Sequence, residues 1–423
     1  MSTWSAAPGD AGGYYTPDDG GLLLEFVTHW FDNSFNVKLP PVEETDRVIL
    51  TPHWGGSKVR LHLSNRFGTT PVTFGAVTLG KQAQAASLAP GSVVPVTFGG
   101  RRSLTAAPGA DIVSDPVAIT YAAFERLAAS VYVQGAPGIA TEHFTGRQTS
   151  YMTGWFAGNR TADTSGGSYT RRTTTRPYVS GLDVAASRNV GGVVAFGDSI
   201  TDGYQGELLG FPETIEGLDQ DARWPDGLQR RINAAGLPFA VANAGLSGNR
   251  ILQEGTYGDG VVAYGPSALK RLDADVLASA GVGTAIVLEG ANDLGLQPVS
   301  TAPQIQAGIT QIVARLRAAG LRVLVGTLTP MTAGGGGSPI GFSKHGTPAA
   351  NEARLAVNRW IRTSGIGDGF VDFDAAVRDP ADPSRLKPQF NGGDNLHLSS
   401  AGYAAMAAAV PLDQLSAHAS ACN

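Results

Sequence analysis

The chain has 423 residues, 42% of them hydrophobic, with 31 basic and 36 acidic residues and a formal net charge of -5. No basic stripe points to nucleic acid, no long like-charge block points to a disordered tail, and the longest apolar runs, such as Leu22-Leu23-Leu24 and Val193 to Phe196, fall far short of the roughly 20 residues of a membrane span. The single cysteine, Cys422, excludes an intrachain disulfide and a cysteine-based zinc site.

A chain of this length is long for a single core, so two domains are expected. Met1 to Pro8 show no basic start followed by an apolar segment, the mark of a signal peptide. Either the protein is cytoplasmic or a leader was replaced by this methionine.

Up to about residue 150 the pattern is that of β structure. Arg47 to Leu50 and Lys58 to Leu63 flank Gly55-Gly56, and the second run alternates apolar and polar residues, which predicts a hairpin with one wet face. Pro71 to Leu79, Val93 to Phe98, Ile112 to Ile119 and Leu127 to Val133 are further strand candidates. Short strands with turn signals and little helix predict an all-β, jelly-roll-like sandwich. Asn159 to Tyr178, rich in Thr, Arg, Ser and Gly, reads as a connector, and Val179 to Ala185 as a last strand.

From about Val190 strands and helices alternate. The strand candidates are Val193 to Phe196, Phe239 to Ala242, Ala285 to Leu288, Val323 to Thr327 and Phe370 to Phe373. Between them, Ile305, Ile309, Ile312, Val313 and Leu316 share one helical face, and Gly320 is its stop signal. This alternation predicts a parallel sheet covered by helices. The expected division is residues 1–186, a β-sandwich accessory domain that includes the connector, and residues 187–423, an α/β domain.

Four clusters fall at predicted strand ends or near the C-terminus: Gly197-Asp198-Ser199, Asn243 to Asn249, Gly290-Ala291-Asn292-Asp293 and Asp394-Asn395-Leu396-His397. In open α/β sheets ligands bind outside the carboxyl ends of the strands. A serine hydroxyl needs an adjacent base, for which histidine is the usual choice, and the histidine needs a carboxylate on its other nitrogen. Ser199, His397 and Asp394 supply one of each. The structural alternatives are an N-cap for Ser199, a surface histidine for His397 and an ordinary loop acid for Asp394.

Taken in order, the four clusters resemble the hallmark blocks of the SGNH hydrolases, also called the GDSL esterase/lipase family, over roughly residues 190 to 415. The resemblance implies a flavodoxin-like three-layer α/β/α fold for this half. It also implies an oxyanion hole made by the Ser199 and Gly245 amides and the Asn292 side chain. Asp198 and Asp293 are expected to shape the turns, while Asn249 and Arg250 either reach the site or bond within their own loop. The Thr-Trp-Ser-Ala-Ala-Pro start followed by a β-rich region looks like a two-domain bacterial subgroup whose members are secreted.

The implied activity is that of a serine esterase or lipase acting through an acyl-enzyme on short to medium acyl esters. A carbohydrate O-deacetylase is the alternative, with Trp30, Trp54 and Trp155 available to stack on sugar rings, and a non-catalytic binding protein is the rival from outside enzymology. No cofactor or metal is expected. His62 and His418 are expected in solvent, and His29, His53 and His143 lack ligand spacing. His345 lies in the Gly-rich segment near Gly334 to Gly337, after the carboxyl end of Val323 to Thr327, so it either overhangs the pocket or, the preferred reading, sits exposed at the surface. Fold class does not choose the substrate, and oligomeric state is not legible.

Overall fold

Residues 1–8, 41–138, 140–187, 189–206, 217–254, 265–332 and 344–417 are described by a computed structural model. The Leu22 run, His29, Trp30, Gly334 to Gly337, His418 and Cys422 lie outside the described residues.

Among the described residues the first part of the chain builds a two-stranded pair of Glu142–His143 with Arg176–Pro177 and two large antiparallel sheets. One carries Ser2–Ser5, Val179–Val184, Gly56–Asn65 and Ala110–Val113 in that order, with Val117–Tyr121 also on Gly56–Asn65. The other orders Arg171–Thr173, Ser150–Met152, Glu44–Leu50, Leu127–Gln134, Val72–Gln84 and Ser87–Leu88. Along Gly56–Asn65 the residues Val59, Leu61 and Leu63 point inward while Lys58 and Arg60 stay exposed, as a half-wet strand requires. Val48, Leu50, Leu61, Leu63, Phe74, Val131 and Leu182 from the two sheets share one core. Each such side chain contributes about 1.5–3 kcal/mol by leaving water.

The expected hairpin of Arg47 to Leu50 with Lys58 to Leu63 does not form, because the two strands lie in different sheets. Every residue of Glu44–Leu50 is buried, so it is a central strand covered on both faces, and the Thr51 to Gly55 turn carries the chain across. The polar connector is also less external than its composition predicts. It contributes Arg171–Thr173 to a sheet edge, with the Arg171 guanidinium 2.6 Å from buried Glu44.

The second part forms a five-stranded parallel sheet from β1 (Gly191–Gly197), β2 (Phe239–Gly245), β3 (Val282–Leu288), β4 (Arg322–Gly326) and β5 (Gly369–Val371). Their spatial order is β2-β1-β3-β4-β5, the flavodoxin-like order with its switch point between β1 and β3. All seven residues of each of β1, β2 and β3 are buried, which explains their largely apolar character, broken by Asn243 in β2 and Thr284 in β3.

The helices that matter below are α1 (Ser199–Asp202), α2 (Trp224–Ala234), α3 (Ala291–Gly295), α4 (Ala302–Ala318), α5 (Pro348–Ser364) and α6 (Ser400–Ala409). Helix α4 is the amphipathic helix expected from sequence. It buries Ile305, Ile309, Ile312, Val313 and Leu316, and Thr301 with Gln304 closes a capping box at its start. The last strand stops at Val371, short of the expected Phe373, because the Asp372 side chain caps a new helix at the Ala375 amide. Among the described residues no helix is long and apolar enough to cross a membrane.

The two parts meet through polar side chains. Ser5 Oγ donates to the Asn243 carbonyl at 2.7 Å, and the Arg66 guanidinium lies 2.8 Å from Asp275. His53 spans the boundary, with Nδ1 2.7 Å from the Val241 carbonyl and Nε2 2.9 Å from Asp226.

Candidate active site

Strand β1 ends at Gly197, and the next two residues turn the chain into the short helix α1. Asp198 caps that helix, its carboxylate accepting from the Ile200 amide at 3.0 Å. A Cβ on Gly197 would stand 2.6 Å from the Leu288 carbonyl oxygen, so only glycine lets β1 approach β3 here. Ser199 becomes the first helical residue, where an amide has no partner inside the helix.

His397 arrives from the opposite end of the sequence, on the loop before α6. Its Nε2 lies 2.8 Å from Ser199 Oγ, and its Nδ1 lies 2.6 Å from Asp394 Oδ2. The other Asp394 oxygen accepts from the Leu396 and His397 amides at 3.0 and 2.8 Å. Burial pushes the Asp394 carboxyl up, but the facing His397 and these N–H donors hold it well below the usual carboxylate range. An ionised Asp394 accepts the Nδ1 proton, which leaves the Nε2 lone pair to accept from the Ser199 hydroxyl. Ser199 and His397 keep only 7% and 8% of their surface, so the pair works in a poorly hydrated setting. The ring of Tyr204 stands edge-on to His397 with centroids 4.5 Å apart.

The remaining site residues divide. Asn292, in α3 at the end of β3, donates one Nδ2 hydrogen to the Asn249 carbonyl at 3.0 Å, so the second hydrogen of that amide is not used by this bond. Gly245 needs a correction. Its N–H donates to Asn243 Oδ1 at 2.8 Å, inside the end of β2, and a Cβ there would stand 2.2 Å from the Asp202 amide nitrogen. Gly245 therefore gives α1 room to pack on β2 and does not offer a free donor. Three residues later Gly248 takes φ +79° in the turn closed by the Asn249 amide on the Leu246 carbonyl at 3.0 Å. That turn places the Gly248 peptide next to Asn249, the partner of Asn292.

Asp293 accepts from the Ile251 amide at 2.8 Å and the Leu252 amide at 3.3 Å, a loop-shaping role as expected from sequence. Arg250 bonds to the Gln297 and Glu254 carbonyls. Asp198 is fully buried, and burial pushes its carboxyl up to about 6. Among the described residues no group of three or more His, Cys, Asp or Glu side chains is placed to hold a metal ion.

Two histidine expectations change. His345 is buried, with 3% of its surface exposed, and it packs so closely on α3 that a Cβ on Gly295 would touch its ring. Burial, then the charge of nearby His397, lowers its pKa to about 4. His62 is half-buried against Asp183, 2.9 Å from its carboxylate. Both changes come from neighbours far away in sequence.

Arg271 was not legible as a site residue. It sits in a short helix where basic residues are normally solvated, yet it is 2% exposed. It bonds to the Gly197 and Ala244 carbonyls at 2.8 and 2.9 Å, to Asn249 at 2.7 Å, and to Asp275 and Glu289 at 3.1 and 3.0 Å. One guanidinium thus ties the ends of β1 and β2 to the loop that holds Asn292.

Residues 195–405 match the model of the GDSL-like lipase/acylhydrolase family. The second half of the chain is a GDSL-like lipase/acylhydrolase domain. Its fold is the α/β architecture of the SGNH hydrolases. Among solved structures, the domain is similar to the aryl esterase of M. smegmatis, at 18% identity over 52% of this chain and 96% of that one, with a TM-score of 0.40. It is also similar to a carbohydrate acetylesterase from Sinorhizobium meliloti, at 16% identity over 51% and 94% of the two chains, with a TM-score of 0.39. None of the curated proteins matches the chain. In the GDSL-like domain the four sequence blocks sit at the carboxyl end of the parallel sheet and on the loop before α6.

Proposed function

We propose that the protein is a serine carboxylic-ester hydrolase acting through an acyl-enzyme on short to medium acyl esters. The observation that carries this reading is the unbroken chain Ser199 Oγ, His397 Nε2, His397 Nδ1, Asp394 Oδ2, at 2.8 and 2.6 Å. Ser199 Oγ attacks the ester carbonyl while its proton passes to His397 Nε2. The resulting imidazolium is oriented and stabilised by Asp394. The tetrahedral adduct collapses with loss of the alcohol, which takes the proton from Nε2. Water, deprotonated by the same nitrogen, then releases the acid and restores Ser199.

The developing oxyanion requires donors already in place. The Ser199 amide and the remaining Nδ2 hydrogen of Asn292 fill two of these places, and the Gly248 amide is the third in our reading, in place of Gly245. A division of the chain near residue 187 and an extracellular location, implied by the two-domain resemblance, belong to the same proposal.

The test is hydrolysis of a short-chain aryl ester by Ser199→Ala. Turnover is expected to fall by about 10⁴-fold or more with the unfolding midpoint unchanged, and undiminished turnover overturns the assignment. A carbohydrate O-deacetylase is the second reading, favoured by Trp155 and Phe156, which expose 45% and 75% of their surface on the first part. Trp54 is instead packed against that part's core. Faster release of acetate from acetylated glycans than from simple esters, abolished by Trp155→Ala, selects it.

A further inference from the structure

His143, Thr145 and Arg147 alternate along a segment of the first part that begins with the short strand Glu142–His143, paired to Arg176–Pro177. The strand ends at His143 and the chain bends at Phe144 and Arg147, yet all three side chains reach residues of the GDSL-like domain. His143 Nε2 lies 2.9 Å from Asp202 Oδ1, while its Nδ1 lies 3.0 Å from the Ala7 carbonyl. Thr145 Oγ1 donates to Asp202 Oδ2, and the Ser247 hydroxyl donates to the same oxygen at 2.7 Å. The Thr145 and Ser247 hydroxyl oxygens are 2.8 Å apart.

Asp202 is the last residue of α1, three positions after Ser199, and it is 1% exposed. A carboxylate at that depth is costly without donors. Two of its three side-chain donors come from the first part and the third from the Ser247-Gly248 loop. Burial pushes the carboxyl up, but His143 and the two hydroxyls bring it below the ordinary value. Arg147 makes a further contact of the same kind. It donates to Gln205 at 3.1 Å, and Gln205 donates to Ser400 at the start of α6 at 2.9 Å. The Arg147 guanidinium also lies 5.9 Å from the ring of Tyr204, the aromatic that abuts His397.

We propose that His143 and Thr145 are positioning residues: through Asp202 they hold the Ser199 turn and the Ser247-Gly248 loop in one fixed relation, so the strand-rich first part is a structural member of the catalytic site. The proposal rests on the esterase reading above and extends it to residues outside the GDSL-like domain. Neither side chain touches the reacting atoms. Their effect is on the distance between the nucleophile and the oxyanion donors, where displacement of about 1 Å costs about 10²-fold in rate.

The experiment uses the full chain and three variants, Thr145→Val, Thr145→Ser and His143→Phe, with active sites counted by a fluorophosphonate. Thr145→Val and His143→Phe preserve shape and remove the donors to Asp202, whereas Thr145→Ser keeps its donor. In the two donor-less variants kcat per titrated site on an aryl acetate is expected to fall about tenfold or more. KM is expected to stay within about twofold, and Thr145→Ser to recover most of the rate. A purely structural contact lowers the number of titratable sites and leaves turnover per site intact. That outcome overturns the proposal, as does a Thr145→Ser variant as slow as Thr145→Val. Failure of the esterase reading is separate, since it shows as full activity in Ser199→Ala whatever Thr145→Val does.

Discussion

Arg271 Nη2 donates to the carbonyl of Gly197 at 2.8 Å, two residues before the nucleophile candidate Ser199. The same guanidinium faces Asp275 and Glu289, both buried, and lies 4.1 Å from the Phe196 ring. An interior ion cluster of this kind is expensive to break: without Arg271, buried Glu289 loses its guanidinium partner, while Asp275 keeps its pair with Arg66.

Arg271→Met is therefore expected to destabilise the protein by about 3–5 kcal/mol and to reduce turnover by disordering the ends of β1 and β2. Denaturant unfolding checks the first part. A loss below about 1 kcal/mol contradicts a buried Glu289 left without its partner.

In the esterase reading Asp394 links catalysis to acid stability. Its carboxyl is held below the ordinary carboxylate value of about 3.9 in the folded protein, so the stabilisation it brings is complete at neutral pH. That stabilisation is lost as pH falls below about 4 toward the lower folded value. Asp394→Asn should lower the melting temperature at pH 7, and the gap to the wild type should narrow below pH 4. A gap that stays constant down to pH 3 refutes this. In the esterase reading the same variant loses about 10⁴-fold in kcat, because the amide favours the wrong histidine tautomer.

Asn292 and Gly245 should separate by the kind of damage they cause. In the esterase reading Asn292→Ala removes an oxyanion donor and is expected to lower kcat by about 10²- to 10³-fold with a small change in KM. Gly245→Ala pushes a methyl group into the backbone of Asp202 and is expected to cost about 1–3 kcal/mol of stability. Steady-state kinetics paired with thermal unfolding distinguishes the two. A stable Gly245→Ala variant with intact packing counts against the crowding seen at α1.

Much of the second half was legible because its signals are local. The β-α alternation, the one-faced apolar row from Ile305 to Leu316 and the four blocks each arise within a few residues, where strand and helix periodicity act. The first half was harder to read. Glu44–Leu50 and Gly56–Asn65 look like hairpin partners in sequence, yet sheet membership is decided by which apolar faces are covered, and both faces of the first strand are. His53 and His143 carried no readable signal, since each is defined by a partner brought in by the fold, and the position of His345 after a strand's carboxyl end did not reveal its burial.

The sequence by itself determined the parallel α/β half, the order of its four blocks, and the supply of a serine, a histidine and a carboxylate for one site. Only the tertiary structure decided which groups were still available. It committed the Gly245 amide to Asn243 and gathered the ends of β1 and β2 onto Arg271. It also brought His143 to Asp202 from 59 positions away. The physical reason is that a buried polar group must find a donor or acceptor wherever the packed core leaves one, and that choice is made by strand order and domain contact across the whole chain.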